Sequence, residues 1–328
     1  MLNDVETVMP VIDDVRALSG RIQKWILKTP VVRCRNLESK LGTTARLFGK
    51  LEFLQQTGTF KPRGALANVL SAPAGQLKAG VTAVSAGNHA IATAYAAQCI
   101  GVSAKVVMLS TANPARIELC KRYGAELVLV DDISEAFARV EQIRDKEGRC
   151  YIHPFEGANV TLGTATIGLE VCDQVPSFDT VIVPIGGGGL CSGISFAVKM
   201  LNPGCKVIGV EPFGGDAMYR SFVRGEPQKL DALDTIADSL GAPFTLPHSF
   251  TMCRKYVDEI VRVHDSEISE AMSMLYNDMK IAVEPACAIS TAALSGPLRN
   301  CFEGKTVVLV FCGSNIDWAT FNRQAAPL

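Results

Sequence analysis

Short apolar runs rich in valine and isoleucine alternate with longer stretches of helical periodicity along the chain. Residues 45–53 (ARLFGKLEF) predict a strand. Residues 81–88 (VTAVSAGN) predict a short strand entering a turn, and 89–101 (HAIATAYAAQCIG) a helix. Strands follow at 104–109 (AKVVML) and 126–130 (ELVLV), separated by a helix at 114–125 and followed by a polar-faced helix at 133–148. In the second half, 180–190 (TVIVPIGGGGL) reads as a buried strand ending in glycines, with a helix at 191–202 and a strand at 205–212 (CKVIGVEP). Helices at 268–280 and 286–296 precede a last strand at 305–315 (KTVVLVFCGSN). Near-continuous apolar strands alternating with helices predict an α/β protein with parallel sheets covered on both faces. Four glycine-rich turns, SAGNH, GGGGL, VEPFGG and CGSN, fall at strand carboxyl ends, where open α/β sheets collect ligands. No linker rich in proline, glycine or serine divides the chain, and its sharpest internal break lies at residues 151–157.

Composition narrows this picture without redirecting it. With 328 residues, 48% hydrophobic and 20% charged, the chain can bury a full core and has room for two domains. A formal net charge of −1, without basic runs, predicts no nucleic-acid partner. No long uncharged apolar stretch predicts a membrane span. The acidic opening (MLNDVETVMPVIDD) lacks the basic-then-apolar order of a signal peptide, and eleven irregularly spaced cysteines without a CxxC read as reduced thiols. A cytoplasmic protein is the expectation.

Two segments carry candidate chemistry. Gly186, Gly187, Gly188 and Gly189 follow a strand and open a helix, a setting in which backbone N–H groups and the helix dipole favour a phosphate. A tight turn without ligand, or a nicotinamide-cofactor turn, are the competing readings. No register of the run gives G-x-G-x-x-G, although Glu211 ends the next strand where a ribose-binding acid would stand. In Thr57–Gly64 (TGTFKPRG), Lys61 lies between Phe60 and Pro62, an unusual setting for a solvated lysine. A desolvated amine loses proton affinity and becomes a nucleophile towards carbonyls; an ordinary surface lysine is the alternative.

GTFKPRGA resembles the lysine motif of fold-type II pyridoxal-phosphate (PLP) enzymes, in the threonine/serine dehydratase branch that includes serine racemases. SAGNHA at 85–90, GGGGL at 186–190 and CGSN at 312–315 match in the same order. HPFEG, TIGLE, GVEP, TIAD and EPACA look like family segments too, so the resemblance spans roughly residues 20 to 318. It implies two parallel-sheet domains of the tryptophan synthase β-like architecture with PLP in the cleft: a large domain of 1–53 and 156–328 and a small inserted domain of 54–155. It implies that Lys61 forms the Schiff base and shuttles the Cα proton, with Phe60 packing beside the ring. Asn88 would bond the ring 3-hydroxyl, and Gly186, Gly187, Gly188, Gly189 and Leu190 would hold the phosphate. Ser85, Ala86, Gly87, Asn88 and His89 would cradle the substrate carboxylate. Cys312 would face the pyridine nitrogen, or be a plain core thiol. Glu284 would stand near the cofactor, or simply favour a helix N-terminus.

The implied reaction is β-elimination from a small β-hydroxy amino acid such as L-threonine or L-serine, giving a 2-keto acid and ammonia. Residues 235–243 (TIADSLGAP) depart from the commoner TIADG pattern of threonine dehydratases, so 3-hydroxyaspartate, phenylserine and a hydroxyectoine-derived acid stay open as substrates. Serine racemases carry a serine where this chain has Ala86, which predicts little racemisation. Asp216 is displaced from the position of a family cation ligand, and no metal is expected. A homodimer is implied by the family alone. A nicotinamide-dependent oxidoreductase is the reading from another class; it leaves the KPRG and SAGNH turns unexplained.

Overall fold

The computed structural model describes residues 9–325, so the first eight residues of the acidic opening lie outside it. Among the described residues, ten strands form two sheets: β1 Val31–Arg33, β2 Arg46–Leu51, β3 Val81–Val84, β4 Ala104–Leu109, β5 Glu126–Val130, β6 Cys150–Tyr151, β7 Thr180–Pro184, β8 Lys206–Pro212, β9 Glu259–Val263 and β10 Thr306–Phe311. Six make one sheet in the order β1-β2-β10-β7-β8-β9, and four make a second in the order β5-β4-β3-β6. All neighbours pair in parallel except β1, which runs antiparallel to β2 at the edge. The strands β7, β10 and β3, apolar but for one threonine each, are buried at every position, as helices on both faces of a parallel sheet require. No helix among the described residues is long and apolar enough to cross a membrane.

Several predicted elements end early; the last strand, expected over 305–315, stops at Phe311. The strand expected over 45–53 stops at Leu51, and Glu52–Leu54 form a single 3-10 turn. That turn swings the Glu52 carboxylate onto the guanidinium of Arg63, with Nε and Nη2 donating at 2.8 and 2.9 Å. The helix expected over 268–280 is α-helical only through Asp265–Met274, then widens into a π turn over Leu275–Met279 that closes at Lys280 with φ 60°.

The helix Ala158–Gln174 left no clear amphipathic stripe because most of its faces are buried. Its glycines lower helix propensity but permit close approach. A Cβ on Gly163 would stand 2.4 Å from Arg63 O, and one on Gly168 would stand 2.8 Å from Ala197 Cβ. The helix therefore lies tightly against Pro62–Ser71 and Gly189–Leu201, the two helices that open at Lys61 and at the glycine run.

A buried ionic group locks the same region. Arg63 forks across two carboxylates, reaching Glu170 through Nη1 and Nη2 at 2.7 and 2.9 Å as well as Glu52, and adds Thr166 Oγ1 at 3.0 Å. Lys50 donates to Glu170, to Thr29 O at 2.8 Å and to Gln174 Oε1 at 2.9 Å. Burial lowers the Lys50 ammonium; burial also works against Arg63, but Glu52 and Glu170 more than reverse it. Two cations and two carboxylates thus balance inside the protein, tying β2, the helix after Lys61 and the helix Ala158–Gln174 together.

Candidate active site

The two sheets and the turns at their strand ends enclose a cavity of about 380 Å³. Every site residue singled out from the sequence lines it: Phe60, Lys61, Ser85, Ala86, Gly87, Asn88, His89, Gly186, Gly187, Gly188, Gly189, Leu190, Glu284 and Cys312. Three of the four glycine-rich turns take part. The fourth, VEPFGG, lies outside the cavity lining. There Glu211 is buried and accepts from Met218 N at 3.0 Å and Tyr219 N at 2.6 Å. A carboxylate committed to a helix N-terminus is not free to take a ribose hydroxyl, which removes the support for a nicotinamide site. Nearby, Asp216 pairs with Arg220 at 2.7 Å and Arg262 at 2.8 Å.

Lys61 stands immediately before Pro62, the first residue of the helix Pro62–Ser71, where proline's missing N–H leaves no gap in the helix. The turn before it is tied to the end of β10: Phe60 N donates to Cys312 O at 3.1 Å, and Ser314 N to Gly58 O at 3.0 Å. Lys61 Nζ donates to Pro154 O at 2.8 Å and lies 5.1 Å from the centre of the Phe60 ring. Desolvation lowers the Lys61 ammonium from 10.5 to about 8, with Cys312 and Glu284 pulling the other way.

The glycine run turns sharply. Gly188 has φ 93° and precedes the helix Gly189–Leu201, whose first N–H groups have no intrahelical partner. A Cβ on Gly187 would fall 2.3 Å from the Phe155 ring. Only glycine lets the backbone of this cavity-lining turn come so close to the ring.

Asn88 and Glu284 meet across the cavity. Asn88 Nδ2 donates to the Glu284 carboxylate at 2.8 and 3.1 Å and to Ser239 Oγ at 3.2 Å, while its Oδ1 accepts from Asn315 Nδ2 at 2.8 Å. Glu284 begins the helix Pro285–Ser295 but makes no side-chain cap on it. Its carboxylate faces the site. Burial raises it to about 7, against the guanidinium of Arg116 and the Asn88 amide. The imidazole of His89 is buried with Nε2 2.8 Å from Ile152 O, and burial pushes it down to about 3. His153 lines the cavity, accepts from Glu156 N at 2.9 Å and is pushed by burial to about 4. His248 is half-buried against Thr161 Oγ1 at 3.0 Å. Both cavity imidazoles are therefore neutral, which leaves Lys61 and Glu284 to change charge near neutral pH. Cys312 donates its thiol to Ala286 O at 3.5 Å; contact with Cys287 and burial keep it protonated.

Sequence reasoning missed Arg116, Ser239 and Asn315. Arg116 lines the cavity, pairs with Asp238 at 2.8 Å, reaches Asn315 O at 3.1 Å and lies 3.8 Å from Glu284. Nothing in its local sequence marks it. Asn315 belongs to CGSN and Ser239 to the divergent TIADS segment, so their motifs were visible but not their contacts.

A family model described as a pyridoxal-phosphate dependent enzyme matches residues 22–313. A phenylserine dehydratase of Ralstonia pickettii is 50% identical over 318 residues, covering 97% of each chain. An L-threonine ammonia-lyase of Thermotoga maritima is 36% identical over 94% of this chain and 76% of its own. The structure of maize serine racemase superimposes with a TM-score of 0.89 at 34% identity, over 95% of both chains. Taken with a glycine turn at a helix N-terminus, a lysine of lowered proton affinity and the cavity between them, these likenesses place this chain in the pyridoxal-phosphate-dependent enzyme family.

Proposed function

We propose that the protein eliminates the β-hydroxyl of a β-hydroxy amino acid, releasing a 2-keto acid and ammonia. The observation that carries this reading is the desolvated Lys61 amine facing the glycine turn across one cavity. The donor set suits PLP: backbone amides of Gly186, Gly187, Gly188, Gly189 and Leu190 for the phosphate, Lys61 Nζ for the aldehyde, Phe60 beside the ring and the Cys312 thiol for the pyridine nitrogen. The same reading gives the ring hydroxyl to Asn88, whose amide would exchange one of its bonds to Glu284 and Ser239 for it. When bound, PLP supplies an electron sink that makes the amino acid's Cα proton removable.

The chain's own residues do the rest. Ser85, Ala86, Gly87, Asn88 and His89 form the turn that opens the helix Asn88–Ile100, where the substrate carboxylate would be held at the helix N-terminus. Lys61 Nζ takes the Cα proton as general base, and a value near 8 suits that task at neutral pH. The β-hydroxyl departs as water, and a second water releases ammonia, so no oxidant is consumed. The Cys312 thiol carries no negative charge with which to hold a proton on the pyridine nitrogen, which favours loss of the β-substituent over exchange of the amine. Ala86 presents no proton donor on the opposite face, which argues against racemisation as the main outcome. The division into domains 1–53 with 156–328 and 54–155, a homodimer and a cytoplasmic site of action belong to this proposal.

The test is keto-acid formation by PLP-loaded protein offered a panel of β-hydroxy amino acids. Keto acid from one of them is the expected result; a yellow protein that forms none from any would overturn the reading. Loading itself has a pH signature. The amine must be neutral to react, so the rate at which apoprotein gains PLP absorbance should rise with pH and level off above about 8. A rise continuing to pH 10 would mean that Lys61 is an ordinary lysine.

A further inference from the structure

Eleven large apolar side chains stand exposed on the described surface, and two of them, Phe137 and Leu233, also line the cavity. They come from different layers. Phe137 lies on the helix Ile133–Glu147, which covers the four-stranded sheet, and Leu233 on the segment between Arg224 and Pro247 beside the six-stranded sheet. Phe137 is 42% exposed and Leu233 41%. Neither belongs to a core cluster: Ala136, Val140 and Ile143 carry the packing face of that helix. Two large apolar groups left uncovered at a cavity wall point to an apolar ligand group that covers them.

The rest of that wall agrees. Val84, Val107, Leu109, Ala136 and Tyr151, which pack in one cluster with the helix that carries Phe137, also line the cavity. The charged side chains among the described lining residues are Lys61, Arg116, Asp238 and Glu284, and Arg116 is already committed to Asp238 and Asn315 O. No free cation therefore faces a second carboxylate, and a methyl group would leave the Phe137 wall wet.

We propose that Phe137 and Leu233 select the substrate by enclosing an aryl group on its β-carbon, so that the preferred substrates are β-aryl-β-hydroxy amino acids. This rests on the elimination proposed above and adds its side-chain specificity. Two arms separate the two claims. The first compares kcat/KM for phenylserine and threonine in the parent, Phe137→Ala and Leu233→Ala proteins. The expected result is a loss of roughly 10-fold or more for phenylserine with threonine changed less than about 3-fold, the scale on which an apolar pocket discriminates. The second titrates L-phenylalanine and L-alanine, which lack a β-hydroxyl, against the PLP-loaded protein and follows the cofactor's absorbance. The parent should bind phenylalanine more tightly, and the alanine variants should lose that preference while keeping their PLP spectrum. Equal effects on both substrates, or a phenylalanine preference untouched in both variants, would overturn the proposal. A parent that binds phenylalanine selectively yet forms no keto acid would sink the elimination and leave the aryl wall standing.

Discussion

Lys61→Ala protein is expected to form keto acid at a rate lower by roughly 10²–10⁴-fold from loss of the general base alone. A second effect is expected alongside it. Borohydride should fix PLP covalently to the parent protein but not to the variant, because Lys61 supplies the amine. The substitution should leave the fold in place. The Lys61 side chain donates only to the Pro154 carbonyl and rests by the Phe60 ring, while the turn that carries it is held by backbone bonds to the end of β10. Circular dichroism and the unfolding midpoint therefore serve as controls. Parental turnover in the alanine variant, at parental pH dependence, would show that another group removes the proton. The other group in the cavity that titrates near neutrality is Glu284, at about 7, and its carboxylate is already engaged by Asn88.

The largest effect on stability is expected from Arg63→Ala, at about 3–5 kcal/mol, the cost of breaking a buried ion pair by removing one partner. The guanidinium is fully buried and serves two carboxylates. Without it Glu52 and Glu170 share the Lys50 ammonium alone, which lies 3.9 Å from Glu52. Urea unfolding should show a lower midpoint, and PLP should bind more weakly because the helix after Lys61 loses its anchor. Neutralising all four groups, in Arg63→Met and Lys50→Met with Glu52→Gln and Glu170→Gln, should cost less than the sum of the single changes, since no unpaired charge is then left inside. Additive losses would mean that the four groups do not act as one unit.

Much of the fold was legible because its strands are short, apolar and regularly spaced. A strand such as TVIVP can be satisfied only by cover on both faces, and a glycine run directly after it can only be a turn. Some of the elements that escaped have weak periodicity. The helix Ala158–Gln174 is buried on most sides, so no polar face sets its period. The edge strand β1 is three residues long and antiparallel, too brief to alternate. Likewise the Glu52 turn is dictated by Arg63, a partner outside its own segment.

The motif residues around Lys61, Asn88, the glycine run and Cys312 announced themselves by residue type and spacing, because a phosphate-binding turn and a desolvated amine each need a particular local chain. That much was legible in the amino-acid order itself: an α/β chain, a lysine proposed as reactive and a glycine turn proposed to take a phosphate. Tertiary structure alone decided that these segments, up to 251 residues apart between Lys61 and Cys312, converge on one cavity. It also decided that Arg116 meets Glu284, that both cavity imidazoles are neutral, that the fourth glycine turn is excluded, and that Phe137 and Leu233 both reach the cavity. Proton affinity and apolar exposure depend on what surrounds a side chain, and those surroundings come from distant parts of the chain that no local pattern records.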